Sequence, residues 1–243
     1  TYTHTYVHTY IHKYIHTYIH TCIYTPIDKH IHTLTYTYYY QIKTTLSNLS
    51  NLYLSIYRGR EGDLVTGIVT QYDKRFNQTI VDLGDAEAVI PSTEKSPYER
   101  LDRGNRVKAV IIEVREETKG APVILSRSKP EFIQRLLELE VPELTDGTVE
   151  LREIARESGS RTKIAVYSAD PNVDPKGACV GARGSRVRQI VNELRGEKLD
   201  VVEWREDKSR FIMEALGPAT IDEVDINEDE KTAKVLVSDS QLS

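Results

Sequence analysis

The chain has 243 residues and a formal net charge of −5. That is room for two or three small domains, and a charge balance that excludes a globally basic nucleic-acid binder, so any such site must be a local patch. Cys22 and Cys179 lie far apart in dissimilar segments, which suits a reducing cytoplasm better than a disulfide framework, and the absence of any run of about 18 apolar residues or of a basic-then-apolar leader leaves neither a membrane span nor a secretory signal to expect.

Residues 1–57 do not resemble the rest. They hold all seven histidines and twelve of the fifteen tyrosines, yet no Gly, Ala, Glu or Arg. Thr-Tyr-Ile-His recurs every four residues, placing His4, His8, His12, His16 and His20 in register. Histidines four apart share a helix face and would suit a divalent-metal stripe. A translated four-base repeat, ACAT read in frame, explains more: it accounts for the period, the odd composition and the decay into Thr-Tyr runs at Tyr36 to Tyr40. The expectation is a low-complexity segment without a stable fold, prone to aggregate, and no metal site is assigned.

From Arg58 the composition becomes that of an ordinary soluble domain. Asp63 to Tyr72 alternates, with Leu64, Thr66, Ile68 and Thr70 on one side and Val65, Gly67 and Val69 on the other. Further strands are predicted at Asn77 to Leu83, Ala86 to Ile90, Asn105 to Arg115 and Ala121 to Ser126, the last two joined by a charged turn through Gly120. Five short strands at this spacing predict a small closed barrel of the OB type. The runs G-D-L-V-T-G-I-V, V-D-L-G, A-V-I-P and I-L-S-R resemble the RNA-binding domain named after ribosomal protein S-one. That resemblance implies a barrel face bearing exposed aromatic and basic residues. Tyr72, Lys74, Arg75 and Phe76 fall where strand one turns into strand two, as candidates for base stacking with cations beside them. The plainer reading is that such aromatics only cover the barrel's mouth.

Ser128 to Leu139 predicts a helix with Ser128 as cap, Pro130 in its first turn and an apolar face of Phe132, Ile133, Leu136, Leu137 and Leu139. Val149 to Arg156 and Thr162 to Tyr167 predict a hairpin turned at Ser158-Gly159-Ser160. The stretch KGACVGARGSRVRQIVNELR, residues 176–195, is the organising element of this half of the chain. A helical turn leads into Gly181-Ala182-Arg183-Gly184, and a second helix follows with Val187, Ile190, Val191 and Leu194 on one face. The two glycines let backbone approach a partner, and the second helix directs its free N–H groups and positive end to the same place. Lys176, Gly177, Gly181, Ala182, Arg183, Gly184, Arg186 and Arg188 are therefore the candidate phosphate contacts. Two glycines in a helix connection are by themselves a weak signal, since packing often requires them. The order helix–strand–strand–helix–GxxG–helix–strand, ending in the strand Leu199 to Trp204, is that of KH modules, which clamp about four nucleotides of single-stranded RNA. A helix from Arg210 to Leu216 and a second hairpin, Val224 to Ile226 with Thr232 to Val237, then begin again.

The barrel, the helix SKPEFIQRLLELEVPEL, the hairpin VELREIARESGSRTKIAVYS, the clamp DPKGACVGARGSRVRQIVNEL and the strand GEKLDVVEW, in that order, resemble the NusA family of bacterial transcription termination/antitermination factors. The resemblance covers residues 58 to 243. It implies an α+β multidomain chain: a low-complexity segment (1–57), an S-one-type OB-fold β-barrel (58–128), a linking helix with a first KH domain of type II topology (129–217), and a truncated second KH domain (218–243). It further implies binding of nascent single-stranded RNA beside RNA polymerase, in the cytoplasm, by a monomer without a cofactor, with the polymerase-binding domain replaced by the repeat. The folded part has no histidine, and the glycine loop is not a P-loop, so no catalytic residue is assigned. The alternatives are an RNA-binding module of a ribosome-associated or RNA-degrading protein, and a non-functional fragment.

Overall fold

The computed structural model describes residues 56–115 and 122–237, with Gln41; the repeat, the turn through Gly120 and the last six residues lie outside this range. The first unit is a closed barrel of β1 (Leu64–Asp73), β2 (Gln78–Asp82), β3 (Glu87–Pro91), β4 (Arg106–Val114) and β5 (Val123–Ser126), in the order β1-β2-β3-β5-β4. All pairs are antiparallel except β3 with β5, and β4 returns to β1 to close the ring. Bulges in β1 at Val69/Gln71 and in β4 at Ile111/Glu113 supply the bend that closure needs.

Val69, Val81, Ala88, Ile90, Val107, Ala109, Ile111, Val123 and Leu125 fill the barrel, and Tyr57 packs among them. The set Val65, Gly67, Val69 is thus the inward face of β1, and Ile68 points out. A Cβ on Gly67 would lie 2.7 Å from the Asp82 carbonyl oxygen and collide with Val81 Cγ1. Gly67→Ala is therefore expected to destabilise the barrel by about 1–3 kcal/mol, read as a fall in thermal midpoint.

The second unit begins with α1 (Pro130–Glu140) and the single turn α2 (Pro142–Thr145), and continues through β6 (Glu150–Glu157), β7 (Arg161–Tyr167), α3 (Pro175–Val180), a 3-10 turn (Ala182–Gly184), α4 (Ser185–Glu193) and β8 (Lys198–Glu203). Its sheet runs β6-β7-β8, with β6–β7 antiparallel and β7–β8 parallel. Phe132, Ile133, Leu136 and Leu137 of α1 pack with Ile164, Val166, Cys179, Ile190, Leu194, Leu199 and Val201 in one core. Each such burial contributes about 1.5–3 kcal/mol. Leu139, expected on that apolar face, is 57 % exposed: the stripe is four residues wide, and Leu139 lies off it. Ser128 is not the helix cap either. Lys129 occupies that position without a side-chain bond, and Ser126 Oγ accepts the N–H groups of Ser128 and Lys129 at 3.1 Å each. α1 ends at Glu140, and Pro142 opens α2, where its fixed φ suits a first helical position.

The two units share a boundary. Val110, outward-facing on β4, belongs to the core beneath α1, with Leu64 and Ile112 packed against it. Beyond β8, α5 (Lys208–Ala215), capped by Asp207, leads to the hairpin β9 (Ile221–Asn227) and β10 (Thr232–Val237).

Candidate nucleic-acid interface

The glycine loop is built by two helix ends. Asp174 caps α3 by accepting the Gly177 N–H at 2.9 Å, and a Cβ on Gly177 would collide with that carboxylate. Gly177 thus has a structural task in the cap. The chain leaves α3 at Gly181 with φ 72° and ψ 172°, a region essentially closed to side-chain-bearing residues. Arg183 (φ 54°) and Gly184 (φ 75°) follow in the left-handed region before α4 begins. No side chain caps α4, so its first N–H groups face the loop.

The cations divide into two kinds. Arg186 Nη1 donates to both oxygens of Glu143 at 2.9 and 3.0 Å and to the Ala178 carbonyl at 2.5 Å. Its stem crosses Gly181, where a Cβ would come within 2.8 Å of Arg186 Cγ. Arg186 therefore ties the loop to α2. Lys176 Nζ lies 3.5 Å from Glu214, which also accepts the Glu203 N–H at 3.2 Å. Arg183 and Arg188 are exposed and, among the described residues, have no side-chain partner. The Arg188 guanidinium reaches to 4.0 Å from where a Gly184 Cβ would stand. The loop thus presents two uncompensated arginines, the small Ala182 and strained backbone. Cys179 lies beneath it, fully buried; burial, with help from the Glu143 carboxylate, pushes its thiol up to about 11, far from a nucleophile at neutral pH.

The barrel candidates sit elsewhere. Tyr72 is 51 % and Phe76 70 % exposed, in the β1–β2 hairpin. The Tyr72 hydroxyl bonds Asn77 Oδ1, and Asn77 Nδ2 donates to Ser92 Oγ at 2.7 Å, which holds the ring by its edge. Arg75 stands 5.9 Å from the Phe76 ring and 3.7 Å from Asp73, while Lys74 is exposed without a partner among the described residues. Leu64, at the other end of β1, packs against the core beneath α1, so Tyr72 lies roughly 25 Å along the strand from that boundary. The structure brings the eight clamp residues together and leaves the aromatic hairpin as a separate patch.

Two groups had no sequence signal. Arg152 lies 4.9 Å from the Tyr167 ring and 5.2 Å from the Trp204 ring, which meet edge to face at 5.5 Å; they come from β6, β7 and the residue just after β8. At the unit boundary, Arg127 and Arg156 flank the Phe132 ring at 4.7 and 5.9 Å. A buried arginine looks like any surface arginine until its neighbours are known.

Comparison with known families agrees with this architecture. The S1 RNA binding domain matches residues 59–127, the NusA-like first KH domain residues 127–204 and the NusA-like second KH domain residues 208–243. The chain is similar to the transcription termination/antitermination protein NusA of Halalkalibacterium halodurans (51 % identity, 76 % of this chain, 48 % of that protein). The same-named proteins of Bacillus subtilis (48 % identity, 76 % and 49 %) and Thermus thermophilus (41 %, 77 % and 48 %) follow. The chain spans about half the length of these curated relatives. With the barrel, the KH order and these matches in agreement, the chain belongs to the NusA family.

Proposed function

We propose that this chain binds single-stranded RNA and serves as the RNA-reading part of a transcription termination/antitermination factor acting beside RNA polymerase in the cytoplasm. The observation that carries the reading is the glycine loop, whose backbone only glycine adopts at Gly181 and at which Arg183 and Arg188 stand free of acids. Gly181, Ala182, Arg183 and Gly184 would receive the RNA backbone, with Arg188 pairing a phosphate. Lys176 would join by exchanging its long contact with Glu214 for a phosphate, whereas Arg186 would act by holding the loop in shape. Tyr72 and Phe76, with Lys74 and Arg75, would stack and pair at the barrel hairpin. The functional units would be the barrel (58–128), the linking helix with the first KH unit (129–217) and the start of the second (218–243). The chain would act as a monomer, with no catalytic role.

The test is fluorescence anisotropy of the full chain with a labelled single-stranded RNA across a salt series. A clamp whose three cations, Lys176, Arg183 and Arg188, each neutralise one phosphate predicts a log–log slope contribution near −2, at about −0.7 per neutralised phosphate of a single strand. Binding that ignores salt would refute phosphate recognition.

A further inference from the structure

The glycine loop and the hairpin at Tyr72 are far apart, and the structure offers a nearer landing place. Helix α4 starts at the loop and ends at the barrel. Its exposed positions, Ser185, Arg188, Gln189 and Asn192, recur at helical spacing, and nine residues carry the path about 13 Å. At its far end Glu193 meets the barrel twice: Arg127 Nη1 donates to its carboxylate at 3.0 Å, and Lys108 Nζ lies 3.9 Å away. Lys108 stands on the outer face of β4, beside Thr66 of β1. The next outward pair, one step from the KH unit, is Arg106 opposite Ile68.

That pair is unlike its surroundings. Further along the same face of β4, Val110 is buried in the KH boundary. Ile68 is 52 % exposed, and Arg106 is exposed with no side-chain partner among the described residues. Asp82 flanks Ile68 on the β2 side, where its carboxylate accepts the Gly84 N–H at 2.8 Å. One exposed isoleucine is ordinary on a protein surface. An apolar side chain in the middle of a sheet face, beside an uncompensated guanidinium and one outward pair beyond the end of α4, can seat a base by apolar contact and pair its phosphate.

Resting on the RNA-binding reading above, we propose that RNA leaving the glycine loop follows α4 and makes its next contact on β1 and β4, with a base over Ile68 and a phosphate on Arg106, before it reaches the aromatic hairpin. The site takes single-stranded RNA without reading sequence, since an aliphatic side chain and a guanidinium discriminate little between bases.

The test uses the full chain with fluorescein-labelled oligoadenylates of four and twelve nucleotides, a length that fits the clamp alone and one that spans clamp and barrel. The parental chain is expected to bind the longer RNA more tightly. Arg106→Glu is expected to weaken the twelve-mer about tenfold and Ile68→Ser about threefold, with the four-mer within about twofold of parental. Thermal unfolding checks that these surface changes leave the fold intact. Twelve-mer affinity unchanged in Arg106→Glu, or no gain from four to twelve nucleotides, would overturn the proposal. Gly184→Asp separates the two readings: loss of both lengths supports the clamp, whereas unchanged binding of both refutes the clamp and the path that starts from it.

Discussion

Gly184→Asp is expected to abolish binding of short single-stranded RNA while leaving the thermal midpoint within a few degrees of parental. Gly184 sits at φ 75° and ψ 23° with nothing closer to a Cβ than the Arg188 guanidinium at 4.0 Å. Aspartate tolerates this left-handed region better than most residues, at about 1–2 kcal/mol. Its carboxylate would face the incoming phosphate and pair with Arg188, so one substitution removes a cation and adds a repelling anion. Gly181→Asp should abolish binding as well, but with a larger structural penalty. At φ 72° and ψ 172° an L-residue is strained by about 1–3 kcal/mol, and its Cβ would displace the Arg186 stem and its pairing with Glu143. A double replacement is therefore the weaker experiment, because it mixes a binding effect with a folding one. Anisotropy titration beside thermal denaturation of each single variant separates the two, and full RNA affinity in a folded Gly184→Asp chain would refute the clamp.

Glu197→Gln and Arg127→Met should each be strongly destabilising. Glu197 is buried at the turn into β8, where Arg156 Nε and Nη2 each donate to it at 2.9 Å, Thr162 Oγ1 at 2.5 Å and the Gly159 N–H at 2.8 Å. Arg127 is as deeply placed: its Nε donates to the buried Glu99 at 2.7 Å and its Nη2 to the Glu193 carbonyl at 2.9 Å. Such pairs add little over an apolar core, but removing one partner leaves a buried charge uncompensated, at about 3–5 kcal/mol. For a chain of this size that is a fall of roughly 10 °C in thermal midpoint. Burial alone would raise the Glu197 pKa, yet the bonds from Arg156, Thr162 and the Gly159 N–H outweigh it and hold the carboxyl below its ordinary value. A carboxylate depressed on folding stabilises fully above its unfolded pKa of about 4.3 and loses that contribution as pH falls through the lower, folded value. The parental chain should therefore lose stability in acid more steeply than Glu197→Gln. Parallel acid profiles would show that Glu197 does not carry the effect.

Much of this molecule was legible from its residues. Period-two alternation placed β1, short runs between turn signals placed the other four barrel strands, and the helix–hairpin–helix–GxxG–helix–strand order identified the KH unit, because these patterns record which neighbours share a face and where a side chain cannot fit. Alternation named two faces of β1 but not which of them turns inward; closure of the barrel, with Gly67 seated against Val81, set it and left Ile68 on the surface. Sequence proximity likewise put Arg183, Arg186 and Arg188 in one cationic cluster. Only the fold set Arg186 against Glu143, 43 residues away, and left the other two free. The arginines at the boundary, and Arg106 one outward pair beyond Lys108 on β4, had no local signal at all. Local pattern determines elements and the glycine loop, because those depend on backbone conformation a few residues at a time. Which charges are neutralised and which stay available for RNA depends on partners distant in the chain, and that was decided by tertiary structure alone.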